Sequence, residues 1–357
     1  MRAIVVTPGQ AGSGRLEDVP EPVRSPGDVL VEVLEVGVCG TDLEILEGHY
    51  GAAPEGDPYL VIGHENFGRV LEAPASSGLS PGDLVACEVR RPDPVPCPAC
   101  AGGRQDLCTN GGFRERGISG LHGFMAERYA EVPGYLVRLP PELAHIGVLT
   151  EPLSVVEKGV AEAVEIQRRL PWDAREAVVT GAGPIGLMAT MLLRSMGWDV
   201  WTVDLARRDS LKALIVKATG AEYVKGDEEP LLALADRIPG IDLVVEATAV
   251  PEVVFDAIDA IGPNGVVCLT GVSADPRSLQ VPGSRLNLEM VLDNKVVFGT
   301  VNASHRDWQA ASRDLQRFEA LWPGACERLL TSRLPPERYE EALVRGPDDV
   351  KTTLRFG

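Results

Sequence analysis

The sequence has no apolar run long enough to cross a bilayer. Its longest apolar stretches have the length of β-strands and fall well short of the ~20 residues that a membrane-spanning helix needs. Basic residues are also few, with 34 Lys and Arg against 52 Asp and Glu, so the net charge is -18. Such a surface repels phosphate backbones and anionic membranes, so we expect neither nucleic acid nor a membrane as a partner.

Cysteine is sparse and odd in number. The seven cysteines lie in a chain of 357 residues whose start, "MRAIVVTPGQ", has one basic residue and a short apolar run. That start predicts a β-strand and not a secretory signal peptide. An odd cysteine count without a secretion signal argues against a disulfide framework. We therefore expect a cytoplasmic protein with reduced thiols, some of which could bind metal.

The length and the change in pattern along the chain predict two domains, because 357 residues exceed what one hydrophobic core usually fills. Residues 1–155 contain short β-branched runs bounded by Gly and Pro, which predicts a β-rich domain. Residues 156–300 alternate strand and helix patterns, as in a doubly wound parallel sheet. Residues 301–357 end in the strand-like "VKTTLRFG", and we expect this segment to rejoin the first domain.

The motif "GAGPIG" predicts a dinucleotide site. It follows the apolar strand "EAVVT" and opens the helix "LMATMLLRSMG", which is the context that this glycine pattern requires. A diphosphate would then lie at the helix N-terminus, where free N–H groups and the helix dipole favour negative charge. The alternative is a glycine-rich turn without a ligand. The predicted cofactor-binding residues of this turn are Gly181, Gly183, Pro184, Ile185 and Gly186.

Two neighbouring features favour different nicotinamide cofactors, one NAD and the other NADP. Asp204 ends the next strand, eighteen residues after Gly186, where a carboxylate binds the adenosine ribose and repels a 2′-phosphate. Arg207 and Arg208 follow it and could instead pair with that phosphate, or simply begin a solvated helix. We expect use of both NAD and NADP, with Asp204 exerting the stronger effect.

The segment "CPACAGGRQDLC" predicts a structural metal lobe. Cys97 and Cys100 form a tight pair and Cys108 follows, which is the spacing of structural zinc loops. A closed zinc site needs four ligands, and Asp93 is the nearest side chain that could supply the fourth. The alternative is a lobe that has lost its metal and packs three reduced thiols in a loop.

A second group of metal-binding side chains lies in other loops. Cys39 stands in "GVCGTD", His64 and Glu65 stand in "GHEN", and Glu151 precedes a proline in "TEPLS". One thiolate, one imidazole and one or two carboxylates make a catalytic zinc set with a position left open for substrate.

The motifs together resemble a known superfamily over the whole chain. "GVCGTD", "GHEN", "RRPDPVPCPACAGGRQDLC", "GFRERGI", "TEPLSVVEK" and "GAGPIG" occur in the order found in zinc-dependent medium-chain dehydrogenases. Within that superfamily the chain most resembles the bacterial and archaeal glucose 1-dehydrogenase family. The resemblance implies a GroES-like β-rich catalytic domain carrying zinc, a Rossmann domain that binds NAD(P), and assembly into a homodimer or homotetramer.

The resemblance also implies roles for individual residues. Cys39 and His64 would ligate catalytic zinc, Glu65 and Glu151 would ligate or contact it, and Thr41 would relay a proton. Substrate contacts would come from Thr41, Glu65, Glu115, Glu151 and Asn302. Two positions depart from some archaeal relatives, because Val155 replaces a sugar-binding aspartate and Val89 an asparagine.

The function expected on these grounds is oxidation of an aldose, D-glucose foremost, at C1 to the lactone, with hydride transfer to NAD(P). Other members of the superfamily are the alternatives: a polyol, secondary-alcohol or threonine dehydrogenase, or a zinc-free quinone-reductase-like protein. A non-enzymatic nucleotide-binding or zinc-loop protein is a further alternative, although it would have no need of Cys39, His64 and Glu151 together.

Overall fold

The computed structural model describes residues 1–272, 277–344 and 346–357. The chain forms two compact units. The first unit comprises Met1–Ser154, Asn302–Gln316 and Leu329–Gly357, and the second comprises Val155–Val301 and Arg317–Arg328. The sequence predicted that residues 301–357 form one C-terminal segment. Residues 317–328 of that segment cluster with the second unit instead.

The first unit is built from β-sheets, as expected from its short β-branched runs. Its strands are β1 (Arg2–Val6), β2 (Arg15–Asp18), β3 (Val29–Val38), β4 (Leu60–Val61), β5 (Glu65–Glu72), β6 (Leu84–Cys87), β7 (Arg90–Arg91), β8 (Arg114–Arg116), β9 (Gly120–Leu121), β10 (Arg128–Glu131), β11 (Leu136–Leu139), and, near the chain end, β18 (Leu330–Leu334) and β19 (Lys351–Arg355).

These strands form three sheets. The largest has the order β11-β6-β5-β3-β19-β18, with β10 also paired to β3, and the smaller two have the orders β2-β1-β4 and β7-β8-β9. Side chains of β3 alternate between buried and half-buried over its first half, which is the period-2 pattern of a strand with one face on the core.

The chain end pairs with a central strand of the first unit. Strand β19 runs antiparallel to β3, with Thr352 opposite Val38 and Thr353 opposite Gly37. The "VKTTLRFG" segment is thus a strand of the large sheet, and its first residue, Lys351, lies beside the end of β3.

The second unit has the doubly wound parallel sheet that the alternating pattern predicted. Its strands are β12 (Glu176–Thr180), β13 (Asp199–Asp204), β14 (Glu222–Lys225), β15 (Leu243–Glu246), β16 (Val266–Leu269) and β17 (Val296–Gly299). They pair in parallel in the order β14-β13-β12-β15-β16-β17. This order reverses direction at β12, which is the topology of the Rossmann fold. The fold class expected from the sequence is confirmed.

Helices connect and cover the strands. They are α1 (Gly40–Leu46), α2 (Pro98–Ala101), α3 (Thr150–Gln167), α4 (Pro184–Ser195), α5 (Leu211–Ala218), α6 (Leu231–Arg237), α7 (Pro251–Ala260), α8 (Gly283–Leu292), α9 (His305–Leu321) and α10 (Tyr339–Ala342). Short 3-10 turns lie at Ala75–Ser77, Gln105–Leu107, Pro133–Tyr135, Pro141–Leu143, Gly147–Leu149, Glu327–Leu329 and Pro336–Arg338. In the described parts of the chain, no helix combines the length and apolar character needed to cross a membrane.

Candidate active site

The ends of two neighbouring strands bring Cys39, His64 and Glu65 together. Cys39 lies between the end of β3 and the start of α1, while His64 directly precedes β5. In the antiparallel register Gly37 of β3 lies opposite Glu65 of β5. One donor atom from each of the three side chains lies within 4.8 Å of the other two, and Cys39 Sγ is 3.2 Å from His64 Nε2.

A buried carboxylate organises the cysteine and the histidine. Asp42, in the first turn of α1, accepts a hydrogen bond from the backbone N–H of Cys39 at 2.9 Å, as an acidic residue near a helix N-terminus does. Its other oxygen lies 3.7 Å from His64 Nδ1. A carboxylate on that side of the ring leaves His64 Nε2 to face Cys39, which is the usual support for a metal-binding histidine.

Glu65 is paired with a buried lysine from the chain end. The Lys351 ammonium contacts both oxygens of the Glu65 carboxylate and also donates to the carbonyl oxygen of Val38 at 3.3 Å. Both side chains are buried, so each charge compensates the other in a region of low dielectric. Gly37 makes room for this pair, since a Cβ at that position would lie 2.0 Å from Glu65 Oε2.

The charged groups of this cluster shift one another's protonation. Burial raises the pKa of the Cys39 thiol, although His64 opposes the rise. Burial lowers the pKa of His64, yet Cys39 and Asp42 outweigh burial and hold that pKa well above its usual value. Metal binding needs the thiolate of Cys39 and the neutral imidazole of His64, so a divalent cation binding to this pair would release protons.

Glu151 and Thr41 are the two other residues that the sequence predicted at this site. Glu151 lies in the first turn of α3, and burial raises its pKa to about 7, with His64 lowering it and Glu65 raising it further. Glu151 is not one of the three side chains whose donor atoms lie within 4.8 Å of one another. Thr41 lies in the first turn of α1, two residues after Cys39, and is half-buried.

The donor set fits zinc. Sulfur, imidazole nitrogen and carboxylate oxygen are the three ligand types that zinc takes in proteins, and the structure gathers one of each. Within the part of the chain that the structure describes, the buried Nδ1 atom of His64 has no hydrogen-bond partner, and the Asp42 carboxylate lies 3.7 Å from it. A catalytic zinc takes three protein ligands and leaves a fourth position for substrate, and this group supplies three side chains of the right types.

The lobe cysteines also lie together. One sulfur each of Cys97, Cys100 and Cys108 lies within 4.8 Å of the other two. Backbone N–H groups of Cys100 and Thr109 donate to Cys97 Sγ, each at 3.5 Å, and lower the pKa of Cys97 to about 6. A thiol with this pKa is largely thiolate at neutral pH, the form that binds metal.

Asp93 lies next to the lobe, but its side chain accepts a hydrogen bond within its own turn. Its Oδ1 atom accepts a hydrogen bond from the backbone N–H of Val95 at 2.8 Å. Among the described residues, the cluster with mutual distances within 4.8 Å at this lobe contains only the three cysteines. Asp93 as the fourth ligand therefore stays a prediction.

Two of the residues expected to bind sugar hydroxyls contact each other. Asn302 Nδ2 donates to Glu115 Oε1 at 3.0 Å, although 187 residues separate them in the chain. Arg90 donates to the same oxygen from Nε at 3.0 Å and from Nη2 at 2.9 Å. Val89, one of the positions that depart from archaeal relatives, is buried.

In the second unit, the glycine-rich turn has the geometry that a dinucleotide requires. Gly181 has φ +89°, which favours glycine, and a Cβ on Gly186 would lie 1.8 Å from the carbonyl oxygen of Gly181. Nothing lies within 4 Å of the position of a Cβ on Gly183, so a phosphate can approach the backbone there. Helix α4 begins with Pro184 directly after Gly183.

Asp204 is hydrogen-bonded to the same turn. Its Oδ2 accepts from the backbone N–H of Ala182 at 2.6 Å, and its Oδ1 accepts from that of Ala206 at 2.8 Å. Arg207 and Arg208 are exposed and form ion pairs with Asp209 and Glu228, both with closest atoms 2.8 Å apart. The carboxylate is thus fixed at the end of β13, whereas the arginines lie on the surface beside it.

Three side chains that matter to the site escaped the sequence analysis. Asp42 could have been found, because Cys39-x-x-Asp42 has the spacing of a helix capping box. Lys351 carries no local signal, since its partner Glu65 is 286 residues away. Arg90 belongs to the quoted "RRP" segment, but only the pairing of β7 with β8 shows that it lies opposite Glu115.

Comparisons with known proteins agree along the whole chain. The family described as "Glucose dehydrogenase C-terminus" matches residues 144–356, and "Alcohol dehydrogenase GroES-like domain" matches residues 25–141. The chain is 44% identical to a glucose 1-dehydrogenase of Methanocella arvoryzae, with 100% of each chain covered. It is also 44% identical to a glucose 1-dehydrogenase of Thermoproteus tenax, with 99% of each covered.

A solved structure provides the same comparison in three dimensions. The glucose dehydrogenase of Haloferax mediterranei in complex with NADP, Zn and gluconolactone superposes with a TM-score of 0.91 at 32% sequence identity. That comparison covers 100% of this chain and 99% of the Haloferax chain.

Proposed function

Because the chain belongs to the glucose 1-dehydrogenase family of zinc-dependent medium-chain dehydrogenases, we propose that it oxidises D-glucose at C1 with NAD(P) as hydride acceptor. In this reaction the C1 hydroxyl loses a proton, C1 loses a hydride, and the sugar leaves as the lactone. The observation that carries the proposal is the cluster of Cys39, His64 and Glu65 in a chain that matches this family along its whole length.

The first unit supplies the metal ligands. Cys39 and His64 hold zinc, and Glu65 and Glu151 provide the carboxylates that ligate or contact it. When bound, zinc supplies Lewis acidity that lowers the pKa of a hydroxyl, and NAD(P) accepts the hydride. Asp42 orients Cys39 and His64, and Lys351 holds the Glu65 carboxylate in place.

Other residues handle the proton and the sugar. The Thr41 hydroxyl, two residues from Cys39, accepts the substrate proton while its own proton passes toward the cofactor ribose and solvent. Glu115 and Asn302 bind sugar hydroxyls and hold C1 in line for hydride loss. A site built from such buried polar groups rejects substrates that lack the matching hydroxyls, because its own groups are then left unpaired.

The second unit supplies the cofactor site. The turn from Gly181 to Gly186 holds the diphosphate at the N-terminus of α4. Asp204 contacts the adenosine ribose, and Arg207 and Arg208 pair with the 2′-phosphate when NADP is bound. We propose that both NAD and NADP serve as acceptors.

A substrate panel tests the proposed function. The zinc-loaded protein is assayed with glucose, galactose, xylose, sorbitol and threonine, each with NAD and with NADP, and the product is identified by NMR. We expect gluconolactone and its hydrolysis product gluconate from glucose. Turnover of sorbitol or threonine without turnover of glucose would contradict the sugar assignment while leaving the superfamily intact.

We also propose that the protein forms a homo-oligomer through its second unit and works in the cytoplasm, where reduced thiols are kept. Within the described residues β17 pairs only with β16, so it is an edge strand of the parallel sheet. Helix α8, just before it, exposes Leu288, Val291 and Leu292 to solvent. Light scattering of the wild type and of Val291→Lys measures the molar mass of each in solution. We expect a smaller mass for the variant, and a monomeric wild type would contradict the proposal.

A further inference from the structure

Arg90 and Glu115 face each other across a short antiparallel strand pair. Strands β7 and β8 place the two residues directly opposite in register. Both side chains are buried, with closest charged atoms 2.9 Å apart. A buried carboxylate needs such a partner to remain charged.

Among the described residues, every hydrogen bond to the Glu115 carboxylate arrives at one of its two oxygens. Arg90 Nε, Arg90 Nη2 and Asn302 Nδ2 each donate to Oε1, at 3.0, 2.9 and 3.0 Å. An ionised carboxylate offers about four acceptor sites over its two oxygens. In the described parts of the chain no donor is assigned to Oε2, so that atom keeps its acceptor capacity.

The guanidinium of Arg90 is itself held in place. Its Nη1 donates to the carbonyl oxygen of Asp106 at 3.1 Å, and its central carbon lies 3.8 Å from the centroid of the Phe113 ring. A planar group fixed by a carbonyl on one edge and an aromatic ring on its face has little freedom to turn. The direction of its remaining N–H groups, and therefore of Glu115, is set by the protein.

We propose that Arg90 is a positioning residue for the sugar. It donates two hydrogen bonds to Glu115 Oε1 and so leaves Oε2 as the acceptor for one hydroxyl of the substrate. This inference rests on the proposed function, and it assigns to Arg90 a part in substrate affinity that acts through Glu115. Because the donors from Arg90 and Asn302 all meet Oε1, Oε2 is the atom of Glu115 that accepts a hydrogen bond from the substrate.

The neighbouring residue offers a matched control. Arg91 lies on the same strand, is equally buried, forms an ion pair with Glu131, and has its guanidinium carbon 4.0 Å from the centroid of the Tyr135 ring. Successive side chains of a strand point to opposite faces, so Arg91 has no part in holding Glu115. Arg90→Met and Arg91→Met therefore remove the same kind of buried ion pair and ring contact.

The test compares steady-state kinetics for glucose in the wild type, Arg90→Met, Arg90→Lys and Arg91→Met, with thermal unfolding of each. Loss of a charge-assisted hydrogen bond to substrate predicts a rise in KM of about tenfold or more for Arg90→Met. We expect a smaller rise for Arg90→Lys, whose ammonium keeps the charge but not the two-pronged geometry. Arg91→Met should lower thermal stability and leave the KM within about twofold of the wild type.

A double variant tests whether Arg90 acts through Glu115. In Glu115→Gln, adding Arg90→Lys should change the KM by less than about twofold, because the group that Arg90 positions is already altered. Multiplicative KM effects in the double variant, or an unchanged KM in Arg90→Lys, would overturn the proposal, and so would an equal KM rise in Arg91→Met. Because the lysine variant retains the buried charge, it serves if Arg90→Met does not fold. A wild type that oxidises no sugar would overturn the proposed function itself, which is a distinct outcome.

Discussion

The Glu65 carboxylate fills the space that a side chain on Gly37 would occupy. A Cβ at residue 37 would lie 2.0 Å from Glu65 Oε2, and the same carboxylate is fixed by the buried ammonium of Lys351. The absence of a side chain at one position of β3 is thus a condition for the ion pair beside Cys39 and His64.

Gly37→Ala should disturb the metal site. The added methyl must displace the Glu65 carboxylate from Lys351, and such overpacking costs about 1–3 kcal/mol. We expect less than one retained zinc at this site after dialysis and a marked loss of glucose oxidation, measured by metal analysis and initial rates. Gly40→Ala is the control, since nothing lies within 4 Å of a Cβ there. Equal zinc content and activity in the two variants would contradict this role of Gly37.

The lobe should hold a second zinc with Asp93 as the fourth ligand. The wild type should then contain two zinc ions per chain, and Cys100→Ser should lose one of them and unfold at a lower temperature while retaining most of its glucose oxidation rate. Asp93→Asn should weaken retention of the same ion. A stoichiometry of one zinc per chain, abolished by substitution of Cys39, would show that the lobe is metal-free.

Cofactor preference should respond to Asp204 more than to the arginines. Asp204→Ala removes a like charge from the 2′-phosphate and should raise kcat/KM for NADP relative to NAD. It should also lower stability, because the N–H groups of Ala182 and Ala206 lose their acceptor. Arg207→Ala and Arg208→Ala should each lower NADP efficiency and leave NAD nearly unchanged. Strict NADP dependence that Asp204→Ala does not alter would show that this carboxylate does not contact the ribose.

Acid should destabilise the first unit through Glu131. Burial raises the pKa of Glu131, but Arg116 and Arg91 outweigh burial and hold it below the usual value of 4.5. A carboxyl whose folded pKa is lowered contributes stability that is present above its unfolded pKa and lost as the pH falls through its folded pKa. The free energy of unfolding of the wild type, measured in urea, should therefore fall below about pH 4.5.

Glu131→Gln provides the comparison for this pH dependence. The variant should be less stable at neutral pH, because the buried Arg91 and the half-buried Arg116 guanidinium groups lose their carboxylate. The stability difference between wild type and variant should shrink as the pH falls below about 4.5. A difference that is constant from pH 7 to pH 3.5 would show that the Glu131 pKa is not lowered by folding.

The sequence could predict those parts of the site whose signals are local. The "GAGPIG" turn and Asp204 belong to one strand–turn–helix–strand unit, so about 25 residues of pattern were enough to predict them. Cys39 and His64 are 25 residues apart in different loops; their ligand types suggested a zinc set, and the resemblance to a family added support for placing them together.

Side chains that depend on strand register could not be predicted in this way. Lys351 reaches Glu65 because β19 pairs with β3, a contact across most of the chain. Arg90 and Arg91 are identical neighbours in sequence, yet one pairs with Glu115 and the other with Glu131. Their different partners follow from the pleat of β7 and from its pairing with β8. Neither feature can be read from the amino-acid composition.

We propose that Cys39 belongs to the zinc site at which NAD(P) oxidises glucose. The most direct test is the initial rate of nicotinamide reduction by glucose in the wild type and in Cys39→Ser, with dinucleotide affinity measured on the same samples. We predict turnover by the wild type, a loss of at least about a thousandfold in the variant, and unchanged dinucleotide affinity, because Cys39 and the glycine-rich turn belong to different units. A Cys39→Ser protein that still oxidises glucose near the wild-type rate would contradict the claim.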